Sequence, residues 1–378
     1  MKIVHIETGM NLYGGALQVK YLLEQLSRHS AIQNTLICTR GSALAELFQD
    51  HPQVDVIPTT CRGDLDIQFI FGVLYSLKSI QPDLVHLHSR RGADTLGGIA
   101  AKLAGVPAVL SRRVDNRENK TFAKLKYQLY QHVITISEAI SEVLLAAQIP
   151  AHKITCVHSC VDTDKYQTQP QQKVFNRFCQ QFGLPIASTE QPVCYIAMLA
   201  QFILRKGHDY FVEQIPDILA AHPNVRFVLF GQGPRHHYIV NKVAEAGLQQ
   251  HVVLPGFVNN IHELLPSFTM VVHPAYQEGL GVSLLQAAAC AVPIVAAKAG
   301  GIPEIAQDNK NALLFEPGDG SQLATHVMNL LNDPGLCRQL GQQGRLIVEQ
   351  QFSPQQMAAG NLAVYEQVLQ QTRNSIDE

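Results

Sequence analysis

The sequence lacks a large excess of charge, a long apolar run and a signal peptide. Its net charge is −2, from 29 basic and 31 acidic residues, which argues against a dedicated nucleic-acid-binding protein because such proteins carry a clear basic excess. The longest nearly apolar stretch, 287–297, is too short to cross a membrane. The N-terminal residues, MKIVHIETGM, lack the apolar core of a signal peptide. We therefore expect a cytoplasmic protein, and peripheral contact with the inner membrane stays open.

The spacing of cysteines that marks metal or redox motifs is also missing. The chain has 8 cysteines, none of them in a CxxC pair, and only Cys156 and Cys160 are close in sequence. Several others lie in apolar runs, where a free thiol behaves as a small hydrophobic side chain. This usage predicts buried free thiols in a reducing compartment.

Length and hydrophobic patterning predict two domains. A chain of 378 residues is too long for one ordinary core, so we expect domains of roughly 150–200 residues. In each half, short β-branched runs alternate with amphipathic stretches of helical period, which predicts parallel sheets with helices on both faces. Strands are predicted at 3–6, 35–38, 54–57, 84–88, 108–110 and 133–136 in the first half, and at 193–199, 225–230, 252–254, 270–273, 293–296 and 313–315 in the second.

A polar, glutamine-rich segment between about Asp164 and Gln191 separates the two halves. We place the domains at 1–163 and 164–353, followed by a final helical segment at 354–378. Ligands of doubly wound parallel sheets bind beyond the carboxyl ends of the strands. The residues that follow each strand are therefore the candidates for a functional site.

Glycine-containing turns follow several of these strands. The stretch 273–304, HPAYQEGLGVSLLQAAACAVPIVAAKAGGIPE, contains two turns that each open a helix, and the first carries Glu278. Backbone N–H groups at a helix start form an anion site, because they are unpaired and the helix dipole favours negative charge there. Two such turns, one with a carboxylate, suit a diphosphate joined to a hydroxyl-rich group, as in a nucleotide sugar. Similar turns occur at Gly14 and Gly15 in NLYGGALQ and at Gly231 and Gly233 in LFGQGP.

The stretch 273–304 resembles the donor-site signature of the retaining glycosyltransferases of family 4, which have the GT-B fold. That signature is a Glu, seven residues and a second Glu; here Glu278 stands at the first position and Gln286 at the second. The resemblance extends over nearly the whole chain and includes Lys206 in LRKGHD. An arginine that the family has about five residues before this lysine is replaced by Gln201. The resemblance implies an α/β protein of two Rossmann-like, doubly wound parallel-sheet domains that face each other across a cleft.

The resemblance also implies the roles of the donor-site residues. Glu278 would contact the transferred sugar, and Gln286 would bind the ribose hydroxyls in place of a carboxylate. Lys206 would hold the leaving diphosphate. The adjacent Arg205, which the resemblance does not itself imply, could replace the charge that Gln201 lacks, or could be a solvated surface residue. The helix of 354–378 would cross back to the first domain. The other implied positions for nucleotide, phosphate and sugar are Gly14, Gly15, Gly231, Gly233, Phe257, Val258, Gly279, Leu280, Gly281, Gly301 and Glu304.

The first domain offers histidines and a basic stretch as candidate groups. His86 and His88 end a predicted strand, and the resemblance implies a histidine here that faces the acceptor or the reacting sugar. One of the two could be a core residue, and we favour His88 for the site because it is nearer the strand end. The stretch 111–120, SRRVDNRENK, could bind an anionic acceptor or anionic lipid, or could be a solvated face whose charges pair internally. The DxD triplets at 64–66 and 162–164 lie outside the donor signature and are attributed to turns, so no essential metal is expected.

We predict a retaining, metal-independent glycosyltransferase that moves a hexosyl group from a nucleotide-diphosphate sugar to a hydroxyl of a glycan or glycolipid. Lipopolysaccharide or other envelope glycan synthesis is the expected setting, and no cofactor is expected besides the donor substrate. Two alternatives stay open. Gln201 and Gln286 each remove a charge that the family uses, which suggests a catalytically weakened nucleotide-sugar-binding protein. A sugar-nucleotide epimerase on the same fold is the other alternative, although it should lack the phrase around Glu278.

Overall fold

The computed structural model describes residues 1–88, 92–188 and 192–377, and the chain divides into two compact units. Unit 1 consists of Met1–Cys160 together with the C-terminal residues from Pro354 onward. Unit 2 consists of Val161–Ser353. Gln191, where the predicted connection ends, lies outside the described residues.

Unit 1 is built on a seven-stranded parallel sheet. Its elements before the C-terminal helix are β1 Lys2–Glu7, α1 Gly14–Leu26, β2 Gln33–Thr39, α2 Ala43–Phe48, β3 Val54–Thr59, α3 Ile67–Ile80, β4 Leu84–Leu87, α4 Ala93–Ala104, β5 Ala108–Arg112, α5 Lys120–Tyr127, β6 His132–Thr135, α6 Glu138–Ala146 and β7 Ile154–Cys156. The strands lie in the order β3-β2-β1-β4-β5-β6-β7, and each neighbouring pair is parallel.

Unit 2 is built on a six-stranded parallel sheet. Its elements are α7 Gln172–Gln181, β8 Cys194–Leu199, α8 His208–Ala221, β9 Val225–Phe230, α9 His236–Glu245, β10 Val252–Gly256, α10 Ile261–Leu264, β11 Met270–His273, α11 Val282–Ala289, β12 Ile294–Ala297, α12 Ile302–Ile305, β13 Ala312–Phe315, α13 Gly320–Asn332 and α14 Pro334–Gln351. The strand order β10-β9-β8-β11-β12-β13 repeats that of the first six strands of unit 1. The last helix, α15 Pro354–Asp377, belongs to unit 1.

Helices cover both faces of the sheet of unit 1. Val4 and Ile6 of β1 belong to a core that also contains Phe69 of α3 and Leu96 of α4. Ile3, which points the other way because side chains alternate along a strand, lies in a second core with apolar residues of α1 and α15. Strands buried on both faces are typical of parallel sheets joined by helices. The predicted α/β class, with one parallel sheet in each half of the chain, is confirmed.

The structure adds elements that the hydrophobic pattern did not predict. Helix α7 lies inside the segment predicted as a polar connection. It buries Phe175, Phe178 and Cys179 within unit 2, and its other residues are polar except Val174. All 8 cysteines lie in the described part of the chain and are free thiols. Among the described residues, no helix combines the length and the apolar character needed to span a bilayer.

Two glycines of α14 allow a test of how closely this helix packs. A Cβ atom added at Gly341 would lie 2.0 Å from the carbonyl oxygen of Ala291, whereas one added at Gly344 would make an ordinary contact, 3.4 Å from the Cβ of Ala288. We expect Gly341→Ala to lower the free energy of unfolding by about 1–3 kcal/mol, because α14 must shift. Gly344→Ala should be neutral or stabilising by up to about 1 kcal/mol, because alanine favours helix over glycine. Urea denaturation of both variants measures the difference, and equal stabilities would contradict this packing.

Candidate active site

The candidate donor residues lie where the strand order of unit 2 reverses. Strands β8 and β11 are neighbours in the sheet, yet the chain leaves them towards opposite edges. Open parallel sheets bind ligands beyond the carboxyl ends of the strands at such a position. Lys206 ends a short 3-10 turn, Leu204–Lys206, in the loop after β8, and Glu278 lies in the loop after β11. His273 is the last residue of β11.

The structure joins these three side chains in one cluster. The Lys206 ammonium forms a buried ion pair with Oε2 of Glu278. The same oxygen lies 2.8 Å from Nε2 of His273, and the backbone N–H of Gly279 donates to Oε1 at 3.2 Å. The side chains of Lys206 and Glu278 are only 10% and 14% exposed, and that of His273 is 1% exposed. We call Lys206, His273 and Glu278 the carboxylate cluster.

The environment keeps the carboxylate charged and the imidazole neutral. Burial alone would raise the pKa of Glu278, but the charge of Lys206 and the hydrogen bond from His273 hold that pKa well below its usual range. Burial lowers the pKa of His273 despite the opposing attraction of Glu278. A neutral His273 that faces a carboxylate carries its proton on Nε2 and donates it to Glu278. Its Nδ1 is buried, and no hydrogen-bond partner for it occurs among the described residues.

Backbone hydrogen bonds hold the loops around this cluster together. The N–H of Tyr276 donates to the carbonyl of Arg205 at 2.8 Å, which joins the loops after β11 and β8. The N–H of Gly301 donates to the carbonyl of Glu278 at 3.1 Å, which joins the loops after β12 and β11. Arg205 itself is half-buried. The loops that carry the predicted donor residues therefore form one hydrogen-bonded assembly.

Close backbone approach explains two glycines of these loops. Gly207 has a φ of +71°, and a Cβ atom there would lie 1.9 Å from the carbonyl oxygen of Pro274. Gly300 has a φ of +52°, and its Cβ would lie 2.0 Å from the carbonyl oxygen of Glu278. No other residue type fits either position without moving a neighbouring loop.

Gly231 and Gly233 have a similar packing reason. Added Cβ atoms would lie 2.0 Å from the carbonyl oxygen of Ala200 and 2.5 Å from that of Phe202, respectively. The loop after β9 is thereby pressed against the loop after β8. This contact accounts for both glycines without a ligand, and their predicted contact with the nucleotide stays a prediction.

The predicted phosphate loop lies at the start of α11. Gly281 is the residue before the first helical turn and has a φ of +99°. The side chain of Leu280 is buried, with 1% exposure, so only its backbone is available to a ligand. Gly301 precedes α12 with a φ of −79°, and Glu304 is half-buried within that helix.

The remaining donor-side predictions fall at more distant points of unit 2. Gln286 of α11 donates from Nε2 to the hydroxyl of Tyr166 at 2.7 Å, so part of its amide serves the packing of the segment before α7. Phe257 and Val258 follow β10, and Phe257 is 46% exposed. The predicted contact of these two residues with the nucleotide stays a prediction.

Unit 1 contains a cavity of about 690 Å³ at the carboxyl ends of β1, β4 and β5. Glu7, Gly15, His88, Asp94 and Arg113 are among the residues that line it. Burial raises the pKa of the Glu7 carboxyl, although a hydrogen bond from the N–H of Gly9 and the charge of Arg113 oppose this.

The glycine pair at the start of α1 is not required by the backbone. Neither Gly14 nor Gly15 has a positive φ. A Cβ atom at Gly14 would meet nothing within 4 Å, and one at Gly15 would reach only the side chain of Arg113, at 3.6 Å. The missing side chains leave space beside the helix N-terminus, and Gly15 borders the cavity.

The structure divides the basic stretch 111–120, together with the two lysines that follow it in α5, into buried and exposed parts. Lys126 is buried and paired with Asp94 and, at 2.9 Å, with Glu118, which also accepts from Arg112 at 3.2 Å. These two cations are therefore neutralised inside unit 1. Arg113 borders the cavity, whereas the exposed basic residues are Arg117, Lys120 and Lys124.

A buried histidine cluster lies beneath the cavity. His86 is held by two hydroxyls, with Nδ1 2.6 Å from Tyr365 and Nε2 2.8 Å from Ser111. Nε2 of His88 lies 3.0 Å from Nδ1 of His5. The three histidines bring one nitrogen each within 4.8 Å of the others, as metal ligands could. Both nitrogens of His86 already have hydroxyl partners, however, so the arrangement is a hydrogen-bonded cluster in which His88 alone lines the cavity.

Sequence reasoning did not single out His5 or His273. His5 lies within the apolar strand β1 and is fully buried. His273 ends an equally apolar strand. A histidine inside a run of buried strand residues was the available signal, because buried polar groups need a hydrogen-bond partner.

The chain matches the models of two glycosyltransferase families. The family model described as "Glycosyltransferase Family 4" matches residues 13–165, and the one described as "Glycosyl transferases group 1" matches residues 188–347. The chain is a family 4 glycosyltransferase. Its two parallel sheets with flanking helices are the GT-B fold of that family.

Individual relatives of this glycosyltransferase differ in their substrates. The 2-deoxystreptamine glucosyltransferase of Streptomyces kanamyceticus is 28% identical over 307 residues, which cover 76% of this chain and 78% of the relative. The UDP-Gal:alpha-D-GlcNAc-diphosphoundecaprenol alpha-1,3-galactosyltransferase of Escherichia coli is 22% identical, over 88% of each chain. The solved structure of Anabaena HepE in complex with UDP and glucose has a TM-score of 0.82 at 20% identity, and the match covers 97% of this chain and all of HepE.

The carboxylate cluster should make the stability of this glycosyltransferase depend on Glu278 in a pH-sensitive way. Glu278→Gln leaves Lys206 buried without its counter-charge, which costs about 3–5 kcal/mol. Because folding lowers the pKa of Glu278, its contribution is fully present above the ordinary carboxyl pKa of about 4.3 and is lost as the pH falls below that value. Urea unfolding should therefore show a large difference from wild type at pH 7 and a smaller one below about pH 4.

Lys206→Met tests the same cluster from the other side. The double variant, Glu278→Gln with Lys206→Met, should lose less stability than the sum of the losses of the two single variants, because each single variant removes the same interaction. A Glu278→Gln effect that does not change with pH would contradict the ionised pair.

Proposed function

We propose that the protein transfers a hexosyl group from a nucleotide-diphosphate sugar to a hydroxyl of a glycan or glycolipid, and that the sugar keeps its anomeric configuration. The observation that carries the proposal is the carboxylate cluster at the strand reversal of unit 2. It combines a fixed cation, which suits a diphosphate, with a fixed carboxylate, which suits sugar hydroxyls. The family of the chain supports the same chemistry.

In the proposed reaction, the bond between the anomeric carbon and the diphosphate oxygen breaks, and its electron pair stays on the diphosphate. The acceptor oxygen forms the new bond on the same face of the sugar, and its proton passes to the departing diphosphate oxygen. Negative charge therefore grows on the diphosphate, where fixed positive groups lower the barrier most. Lys206 and Arg205, together with the N–H groups at the start of α11, would supply them without a metal ion.

Glu278 would position the transferred sugar. The N–H of Gly279 and the donors of Lys206 and His273 hold both carboxylate oxygens in one orientation. A carboxylate oxygen accepts more than one hydrogen bond. Glu278 can thus keep these partners and still accept from sugar hydroxyls.

The cavity of unit 1 is the proposed acceptor site. Its volume of about 690 Å³ lies within the range of small-molecule sites, which is roughly 300–1,000 Å³. His88 and Glu7 offer hydrogen bonds to hydroxyls, and Arg113 offers a charge to an anionic group of the acceptor. This combination suits a carbohydrate that carries a phosphate or a carboxylate.

We further propose that the enzyme works in the cytoplasm at the inner face of the membrane, in lipopolysaccharide or other envelope glycan synthesis. The Escherichia coli relative, whose name includes a diphosphoundecaprenol acceptor, supports a lipid-linked setting. Helix α5 supports contact with an anionic surface. Phe122 and Leu125 on it are 49% and 62% exposed, and the exposed Lys120 and Lys124 flank them. Apolar side chains beside lysines are typical of helices that lie in the membrane interface.

The donor proposal predicts selective stabilisation by nucleotides. In a thermal-shift screen, one series of nucleoside diphosphates and their sugars should raise the melting temperature, because a ligand that binds only the folded state adds about 2.7 kcal/mol at 100 times its Kd. UDP is the first to test, because the Anabaena relative binds it. The shift should persist in EDTA, disappear in Lys206→Ala and persist in Lys242→Ala, whose lysine pairs with Glu213 away from the cluster.

Transfer itself separates an enzyme from a binding-only protein. A binding-only protein would show the thermal shift yet release no nucleoside diphosphate when acceptor is present. Full transfer activity in Glu278→Ala would refute the assignment of Glu278. A shift that requires Mg²⁺ would refute metal independence.

The membrane proposal predicts flotation with anionic vesicles. The protein should float with vesicles rich in phosphatidylglycerol and not with phosphatidylcholine vesicles. Each lysine near such a surface contributes about 1 kcal/mol, so Lys120→Glu with Lys124→Glu should weaken binding by roughly 30-fold or more. Lys310→Glu, an exposed charge change in unit 2, is the control and should float like wild type. Equal flotation of all three proteins would count against α5 as the contact.

A further inference from the structure

A chain of buried polar side chains runs through the sheet of unit 1 to the cavity. Oδ1 of Asn34, on β2, lies 3.3 Å from Nε2 of His5, on β1. Nδ1 of His5 lies 3.0 Å from Nε2 of His88, the residue after β4. All three side chains are buried, with exposures of 2%, 0% and 2%. Three polar groups in the centre of a parallel sheet are costly unless each bond of the chain is formed.

Both imidazoles of this chain are neutral. Burial lowers the pKa of His5 to about 4, against the raising effect of Asn34. Burial, and then the neighbouring His86, His5 and Arg113, lower the pKa of His88 well below its usual range. A neutral imidazole has one N–H donor and one acceptor nitrogen. The position of one proton in the chain therefore determines the position of the next.

In the structure the oxygen of the Asn34 amide faces His5, and this orientation gives the chain of hydrogen bonds a direction. Because this oxygen faces His5, His5 carries its proton on Nε2 and donates it to Asn34. Nδ1 of His5 is then an acceptor, so His88 must carry its proton on Nε2 to make the bond between them. This leaves Nδ1 of His88 as a lone pair. An amide turned the other way would reverse each bond and place a proton on that Nδ1.

One end of this chain is Nδ2 of Asn34, which is buried and has no hydrogen-bond partner in the described part of the protein. The other end, on the residue that lines the cavity, is Nδ1 of His88. It is buried and has no hydrogen-bond partner among the described residues, and His88 lines the cavity. The other candidate histidine, His86, does not line the cavity, and both of its nitrogens are occupied, by Tyr365 and Ser111. A buried acceptor without a partner costs free energy that a ligand hydroxyl can recover.

We infer that Asn34 and His5 are positioning residues that hold His88 in one tautomer, so that its Nδ1 accepts a hydrogen bond from a carbohydrate hydroxyl bound in the cavity. The inference rests on the proposed function, in which this cavity holds a reactant of the transfer. This tautomer also restricts which ligand groups can bind to Nδ1 of His88. A hydroxyl can donate to a lone pair, whereas an ionised phosphate oxygen cannot.

Nitrogen-15 NMR of histidine-labelled protein tests the tautomer directly, because the protonated and the unprotonated ring nitrogens resonate far apart. The wild-type spectrum should show His88 protonated on Nε2 and unprotonated on Nδ1, with the signal assigned by its loss in His88→Gln. His5 should show the same tautomer. A proton on Nδ1 of His88 would overturn the inference.

The kinetics of Asn34→Leu test whether a single tautomer of His88 is needed for full transfer activity. Without the amide oxygen, His5 and His88 should populate both tautomers, and kcat should fall about three- to tenfold, the effect of one neutral hydrogen bond. The Kd of the nucleotide, which unit 2 is proposed to bind, should not change. Thr35→Val, at the next position of the same buried strand, is the matched control and should keep wild-type kcat.

The outcomes separate this inference from the proposed function. The inferred role of Asn34 and His5 is wrong if Asn34→Leu shows a single, wild-type tautomer or loses no more activity than Thr35→Val. The proposed donor site is not affected by either result. If the wild-type protein binds no nucleotide, the proposed function itself fails. In that case the wild-type spectrum still shows whether Asn34 and His5 hold His88 in one tautomer.

Discussion

The burial of each parallel sheet on both faces controls where this glycosyltransferase can place polar groups. Within a strand such as β1, successive side chains such as Ile3 and Val4 enter apolar cores on opposite sides, so a charged group has no exposed face to occupy. Charges therefore collect beyond the strand ends. There, backbone N–H groups and neighbouring loops can compensate them. Lys206 and Glu278 lie in such loops, at the point where β8 and β11 send the chain in opposite directions.

At their proposed ligand sites, the two units solve the problem of buried polarity differently. Unit 2 keeps a charged carboxylate, because Lys206 and His273 offset the cost of burying Glu278. Unit 1 instead places neutral imidazoles inside its sheet and connects them by hydrogen bonds, which avoids burying an isolated charge. A fixed ion pair suits a charged diphosphate donor, whereas a neutral chain that ends at His88 suits a hydroxyl. The electrostatics of each unit thus match the ligand proposed for it.

Periodicity and turn residues were enough to predict the fold, but not the side-chain partners in the site. The strands could be placed because parallel strands read as short apolar runs between helical patterns. The ion pair of Lys206 and Glu278 joins residues 72 positions apart, and no local pattern encodes that contact. Helix α7 was missed because its buried face is only a few residues wide within a polar segment. For the basic stretch, sequence spacing left open whether the charges bind a ligand or pair internally, because it does not show that Glu118 turns inward to pair with Lys126.

The glycines show how far a motif can be trusted as a sign of ligand binding. Gly300 is required by the carbonyl of Glu278, which approaches too closely for any side chain, and Gly231 is required in the same way by Ala200. Glycine at these positions would be retained for packing even if no ligand bound nearby. Gly14 has no such neighbour and no positive φ, so neither backbone conformation nor packing explains it. The glycine pair before α1 is therefore a stronger indicator of a ligand than the glycines of unit 2. In unit 2 the stronger indicator is the buried charge of Glu278.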